Sequence, residues 1–181
     1  YSGTPERLFV GWALNNVYAS DTPTGKYCCQ MTLPRTVTLR DTPKGGPRLA
    51  WAPRDEAAFG TASPCEGTLP GEVFKLTVTG SGAGTVTLSN SMGQAFRFGV
   101  DQENRAFIDR REGGVKDFSP SFARDWYGVI GAPRFYEGDW ELQFIFDRSI
   151  SELYIDGGTR VFTAAVYPDE PYRQVTATGN V

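Results

Sequence analysis

The acids come first, because two carboxylates about 5 Å apart are the machinery that cleaves a glycosidic bond with retention. Asp147-Arg148 with Glu152 is one such constellation, and Asp109-Arg110-Arg111-Glu112 is another. Arg54-Asp55-Glu56 and Arg124-Asp125 add three more acids beside bases. Every one of these acids has a base as a close sequence neighbour. None stands isolated in an apolar stretch, the setting that raises a carboxyl pKa enough for acid catalysis. They therefore read as charge pairs that fix strand ends and turns, and no catalytic residue is assigned within the chain.

Gly11-Trp12-Ala-Leu-Asn15-Asn16-Val-Tyr18 has a different character. Sugars are held by aromatic rings against their C–H faces and by planar hydrogen-bonding groups around their hydroxyls. A tryptophan at a strand end, followed by two amides and a tyrosine, supplies both. Trp12, Asn16 and Tyr18 are the candidate substrate-binding residues. The competing reading makes Trp12 core and the asparagine pair a turn. The aromatics of Phe118-Ser-Pro-Ser-Phe122 and Trp126-Tyr127 pose the same choice, between a second carbohydrate platform and a loop that packs down over its own domain.

Absences narrow the chemistry. The chain of 181 residues has no histidine, which excludes Ser-His-Asp and Cys-His nucleophiles and most zinc sites built within it. Cys28, Cys29 and Cys65 are an odd set with two adjacent, so Cys65 bridges one of the pair or all three stay free thiols. The adjacent pair lacks metal-ligand spacing, and neither a metal nor another cofactor is implied. A net charge of −3 without a basic run argues against nucleic acid. No apolar stretch approaches the roughly 20 residues of a membrane helix, and no signal peptide is visible. The chain opens on Tyr1 rather than Met, the expectation for a processed or excised polypeptide.

The elements that must position these residues are short strands. Arg7–Trp12 reads as a buried strand, leading into a polar segment over 15–25. Residues 30–40 alternate, with Met31, Leu33, Val37 and Leu39 as the apolar set and Pro34 forcing an edge or bulge. A turn cluster at 41–47 precedes a short strand at 48–52, and 53–71 is a connecting loop. From residue 72 strands follow at 72–79, 85–88, 95–100, 105–109, 140–146, 152–155, 160–166 and 174–178. A long aromatic loop spans 112–138, and Asp156-Gly-Gly158 is a hairpin turn. With 12 Phe and 21 Gly distributed this way, the fold class is all-β, an antiparallel two-sheet sandwich burying alternating aromatics. No helix and no internal repeat is apparent, and the main boundary falls near residue 40.

Four groups of residues together resemble the C-terminal portion of glycoside hydrolase family 32, the invertase, inulinase and levanase group. Arg7-Leu-Phe-Val-Gly-Trp12 through Asn16 and Tyr18 resembles its Ile-Gly-Trp-Met-Asn-Asn-Trp-type motif. Pro23-Thr24 and Met31-Thr-Leu-Pro-Arg35 resemble its Pro-Thr and Ser-Leu-Pro-Arg-Glu segment. Phe107-Ile-Asp-Arg110, Phe118–Phe122 and Phe146-Asp-Arg-Ser149 with Glu152-Leu-Tyr154 resemble its sandwich motifs, and Val166-Tyr-Pro168 its Ile-Phe-Pro.

The resemblance implies a five-bladed β-propeller bearing the active site, followed by a β-sandwich. Residues 1–40 would be the C-terminal segment of that propeller, 41–70 a linker with the first sandwich strand, and 71–181 the sandwich. The activity implied is retaining hydrolysis or transfer of fructosyl units from sucrose, inulin or levan, by an enzyme that is extracellular or secreted. The Asn-Asp-Pro-Asn, Arg-Asp-Pro and Glu-Cys motifs that carry the family's catalytic acids are absent. The implied partner is therefore the N-terminal propeller portion, as a separate chain or a segment outside this sequence. Trp12 matches the aromatic residue lining the family's fructosyl pocket. Val17, Thr36 and Cys28-Cys29 depart from the family's usual aromatic, Glu and Trp-Arg-Gly-like residues. The alternative is a stand-alone fructan-binding sandwich using the 118–127 loop, and a third reading makes the sandwich a spacer or dimer contact.

Overall fold

The computed structural model describes residues 6–126 and 128–181, with nothing described for the side chains of Asp125 and Trp126. Antiparallel hairpins dominate, as the spacing of Gly- and Asp-containing turns dictates. The first sheet runs in the order β1 (Leu8–Phe9), β2 (Arg35–Thr42), β3 (Gly46–Pro53). Beyond it come β4 (Gly67–Thr68), β5 (Val73–Ser81), β6 (Gly84–Ser89), β7 (Ala95–Val100) and β8 (Arg105–Glu112). After the aromatic loop follow β9 (Val129–Pro133), β10 (Asp139–Asp147), β11 (Ile150–Ile155), β12 (Arg160–Ala165) and β13 (Gln174–Gly179).

Two of the sheets form the sandwich. One has the order β12-β11-β10-β5 and the other β4-β13-β6-β7-β8-β9. The chain passes from one to the other in the tight turn after β5, where Gly82 sits at φ +66° and its carbonyl accepts the Trp140 indole N–H at 2.9 Å. The alternation of Ala95–Val100 places Phe96 and Phe98 inward, both fully buried. Phe98 stacks on Phe144 of the facing sheet at 4.4 Å between ring centroids, and Phe74 stacks on Phe146 at 5.4 Å. This aromatic stack is the sandwich core.

The Asp156-Gly-Gly158 turn is where the sequence places it. Asp156, Gly157 and Gly158 all adopt positive φ, a conformation for which glycine carries no Cβ penalty. A Cβ on Gly158 would lie 1.7 Å from the Trp51 carbonyl oxygen, so only glycine lets β3 approach the turn. The Trp51 N–H donates to the Gly158 carbonyl across that contact at 2.9 Å.

Three expectations need correction. The loop over 112–138 contains strand β9, paired with β8 from Arg105↔Pro133 to Asp109↔Val129, and one helical turn at Phe122–Trp126. Gly131 and Pro133 masked the strand from a propensity reading. The segment 7–12 is not a buried strand. Only Leu8–Phe9 pairs with β2, and Phe9, Val10 and Trp12 are 44%, 47% and 39% exposed. On 31–39 the burial is inverted. Met31 and Leu39 are 54% and 71% exposed, while Thr32 and Arg35 are buried. Leu33 and Val37 are half-buried, and the deepest contact with the sandwich here is polar, through Arg35.

Candidate functional site

Residues 10–33 form the surface that carries Trp12. Gly11 and Thr32 lock two passes of the chain together: the Gly11 N–H donates to Thr32 Oγ1 at 2.9 Å, and the Thr32 N–H donates to the Gly11 carbonyl at 2.7 Å. Trp12 then bridges Met31 in antiparallel fashion, and the Ala13 N–H donates to the Gln30 carbonyl at 2.9 Å. Asn15 serves the backbone. Its Oδ1 accepts the Val17 N–H at 3.0 Å and its carbonyl accepts the N–H of Ala19 at 2.9 Å, an Asx turn of the kind asparagine favours. With Asn15 committed to the turn, Asn16 is left exposed at its tip.

Trp12 and Asn16 therefore both present themselves to solvent. Tyr18 does not: it is 4% exposed, with its ring 4.9 Å from that of Phe122 and 6.4 Å from that of Phe118. Burial pushes its hydroxyl pKa up, and the nearby Arg110 charge opposes that shift. Phe122 is fully buried, and Phe118 packs on Tyr167 at 5.1 Å. These rings of the 118–127 segment thus form a small second core with Tyr18, Ile150 and Tyr167. Tyr127 lies outside the described residues. Trp12 stands on a loop whose far end is anchored by this cluster.

The other anchor was not legible as a functional element. Glu152, read as part of a charge pair that fixes a strand end and its turn, is 2% exposed. Its carboxylate accepts the Leu33 N–H at 2.7 Å, the Arg35 guanidinium at 2.9 Å and the Tyr154 hydroxyl. Arg35 reaches further, through Nε to Tyr154 Oη at 3.1 Å and through Nη2 to Thr163 Oγ1 at 2.6 Å. Burial, with the Glu152 charge beside it, pushes the Tyr154 hydroxyl well above the usual phenol range, so it remains a donor. Gln30 Nε2 donates to Ser149 Oγ at 2.9 Å close by. The available signal was the two-residue period of Glu152-Leu-Tyr154: Leu153 faces the sandwich core, so Glu152 and Tyr154 share the opposite face.

All six residues of β11 are buried. A strand at that position in a two-layer sandwich would leave one face wet. Here residues 30–35 cover it, making a third layer.

Cys28, Cys29 and Cys65 are free thiols, the first two exposed. Among the described residues no cluster of three potential metal ligands occurs, and no helix is long and apolar enough to cross a membrane.

Residues 59–180 match the family described as glycosyl hydrolases family 32 C terminal. The levanase of Bacillus subtilis (strain 168) is 26% identical over 185 residues, covering 90% of this chain and 27% of that protein. The sucrose-6-phosphate hydrolase of Vibrio alginolyticus is 27% identical over 180 residues, 96% of this chain and 34% of that protein. The chain thus spans about a quarter to a third of the length of these curated relatives. Among solved structures, the exo-inulinase of Aspergillus awamori shares the fold with a TM-score of 0.80 at 22% identity, over 97% of this chain and 38% of that one. The likeness therefore extends beyond residues 59–180 into the part of the chain that precedes the family match. With two sandwich sheets, the covering third layer and a family match across most of its length, the chain belongs to the C-terminal family of glycosyl hydrolases family 32.

Proposed function

We propose that this chain is the C-terminal part of a retaining β-fructofuranosidase-type enzyme that hydrolyses or transfers fructosyl units of sucrose, inulin or levan. Its catalytic carboxylates come from an N-terminal propeller portion, on a separate polypeptide or in a segment outside this sequence. In this reading Trp12 and Asn16 face the fructosyl unit, and Tyr18 holds their loop from beneath. The sandwich buttresses the propeller through the Arg35–Glu152 network.

The observation that carries the proposal is the exposed apolar set around the docked segment 8–39. Buried polar bonds tie the segment to the sandwich at Leu33 and Arg35. Around that tie Phe9, Val10, Trp12, Met31 and Leu39 are between 39% and 71% exposed, and Leu39 lies directly across from Leu49, itself 53% exposed. Apolar exposure on this scale marks an interface. The kinship with a levanase and a sucrose-6-phosphate hydrolase, each about three to four times as long as the matched share, supports a propeller as its other half. Polymeric fructan cannot cross a bilayer, so an enzyme acting on it works outside the cell. Fractionation of medium and cells tests that location.

The isolated 181-residue chain is expected to show no turnover of sucrose, inulin or levan, and activity is expected to co-purify with a larger polypeptide bearing the carboxylates. Intact mass and N-terminal sequencing of every band, beside a reducing-sugar assay, check this. Turnover by the isolated chain sinks the proposal.

A further inference from the structure

A groove runs along the seam between the 23–31 loop and the sandwich. Its inner part, about 180 Å³, is walled by Tyr27 and Gln30 from the loop and by the Asp147–Ser149 turn, with Met31, Leu33, Ile145 and Ile150 forming an apolar side. An adjoining cavity of about 680 Å³ shares Tyr27, Arg148 and Ser149 and extends to Tyr167. Residues 30–31 lie between this groove and Trp12, which pairs with Met31.

Two features mark the groove as more than a packing gap. Arg148 occupies the two-residue turn closed by the Asp147↔Ile150 pair at φ +55°, a position that suits glycine. A non-glycine residue held there stores strain of the kind that collects at functional sites. Tyr27 is 40% exposed, an aromatic ring presented to the groove rather than to a core.

The chemistry of these walls selects a neutral, hydroxyl-rich ligand. The Arg148 guanidinium is balanced by Glu72 at 3.5 Å, and Asp147 adds a further acid, so no net positive charge is available for an anion. Asp147 takes hydroxyl donors, Arg148 and Ser149 supply groups for hydroxyl oxygens, and Tyr27 offers a face for C–H stacking. The inner volume lies below the roughly 300–1,000 Å³ of pockets that take drug-sized ligands, which limits it to one sugar ring. The adjoining cavity has room for the chain to continue.

We infer that this seam groove is a second carbohydrate subsite, holding a ring of a fructan chain that sucrose does not possess. The identity of the sugar rests on the proposed function; the groove itself does not. The test uses the native preparation, including the polypeptide that bears the carboxylates, as wild type, Tyr27→Ala and Arg148→Gly. Glycine relieves the left-handed turn, so the fold is kept and only the guanidinium is lost. KM for levan or inulin is expected to rise about 5–10-fold in each variant, the effect of about 1–1.4 kcal/mol, while KM for sucrose stays within about twofold. An equal rise on both substrates, or no rise on the polymer, overturns the inference.

Calorimetry with a levan oligomer separates the two proposals. Binding that is lost in Tyr27→Ala but kept in Trp12→Ala supports the groove, and it does so even without turnover, which would reject the proposed function alone. Binding that is the same in wild type and Tyr27→Ala rejects the groove and leaves the proposed function standing.

Discussion

Replacing Glu152 with Ala should detach the third layer from the sandwich. The carboxylate is 3% exposed at its side chain and Arg35 is 8% exposed, so solvent screens neither. Removing one partner of such a pair strands the other charge in a dry site, a loss of about 3–5 kcal/mol. The Leu33 N–H and the Tyr154 hydroxyl lose their acceptor at the same time. For a chain of this size that corresponds to a Tm lower by roughly 6–20 °C. The double replacement Arg35→Met with Glu152→Leu removes both charges and fills similar volume, so it should recover most of the loss. Urea unfolding followed by tryptophan fluorescence measures both variants, since Trp12 and Trp51 report on the first sheet and Trp140 on the sandwich. Because the pair is buried, the difference should change little between low and high salt. If Glu152→Ala lies within about 0.5 kcal/mol of wild type, or the double variant is no better than the single one, the clamp is not what joins the layers.

Three further outcomes follow from single residues. Trp12→Ala, at 39% exposure, should cost less than about 1 kcal/mol of stability while lowering kcat/KM on sucrose at least about tenfold in the native preparation; a matched loss of stability and turnover would make Trp12 a packing residue. Gly158→Ala forces a Cβ to within 1.7 Å of the Trp51 carbonyl at φ +78°, so strain and overpacking together should lower stability by roughly 3 kcal/mol, read as a shifted urea midpoint. The Arg111 side chain, donating to Asp109 at 2.7 Å, holds the Asp109 carboxyl below its usual range despite partial burial. A depressed folded pKa gives stability that is present above the unfolded value near about 4 and lost as pH falls through the folded one. Asp109→Asn should therefore lower Tm by a few degrees at pH 7 and by less as the pH is lowered, as scanning calorimetry across the acid range would show.

The sandwich strands were legible because their signals were local and agreed. In Ala95–Val100 the two-residue period, the aromatic content and the flanking turns all name one strand with Phe96 and Phe98 inward. The Asp156-Gly-Gly158 turn was legible for the same reason, since its composition demands the positive φ that it adopts. The β9 strand was hidden because its partners, not its own propensities, make it a strand: Gly131 and Pro133 sit on an edge, where neither is costly. Of the candidate site, Trp12 and Asn16, both exposed, were named from residue type. Their division of labour with Asn15 and Tyr18 was not, since it depends on a turn and on a ring cluster formed by residues a hundred positions apart.

The inversion over 31–39 shows why the clamp escaped notice. Alternation tells which residues share a face, and hydrophobicity then assigns one face to the core. That second step assumes a single core. Here burial changes along the segment: Met31 and Leu39 near its ends are exposed, while the Leu33 N–H and the Arg35 side chain between them meet Glu152, whose strand already gives its other face to the aromatic stack. A carboxylate can be that deeply buried only if its donors arrive with it. Leu33 N–H, Arg35 and the Tyr154 hydroxyl do so only when the third layer is docked. The acid is therefore a reporter of assembly: its burial is tolerable in the folded chain because residues 30–35 are in place. That dependence ties the Trp12 loop to the sandwich while Trp12 itself stays 39% exposed.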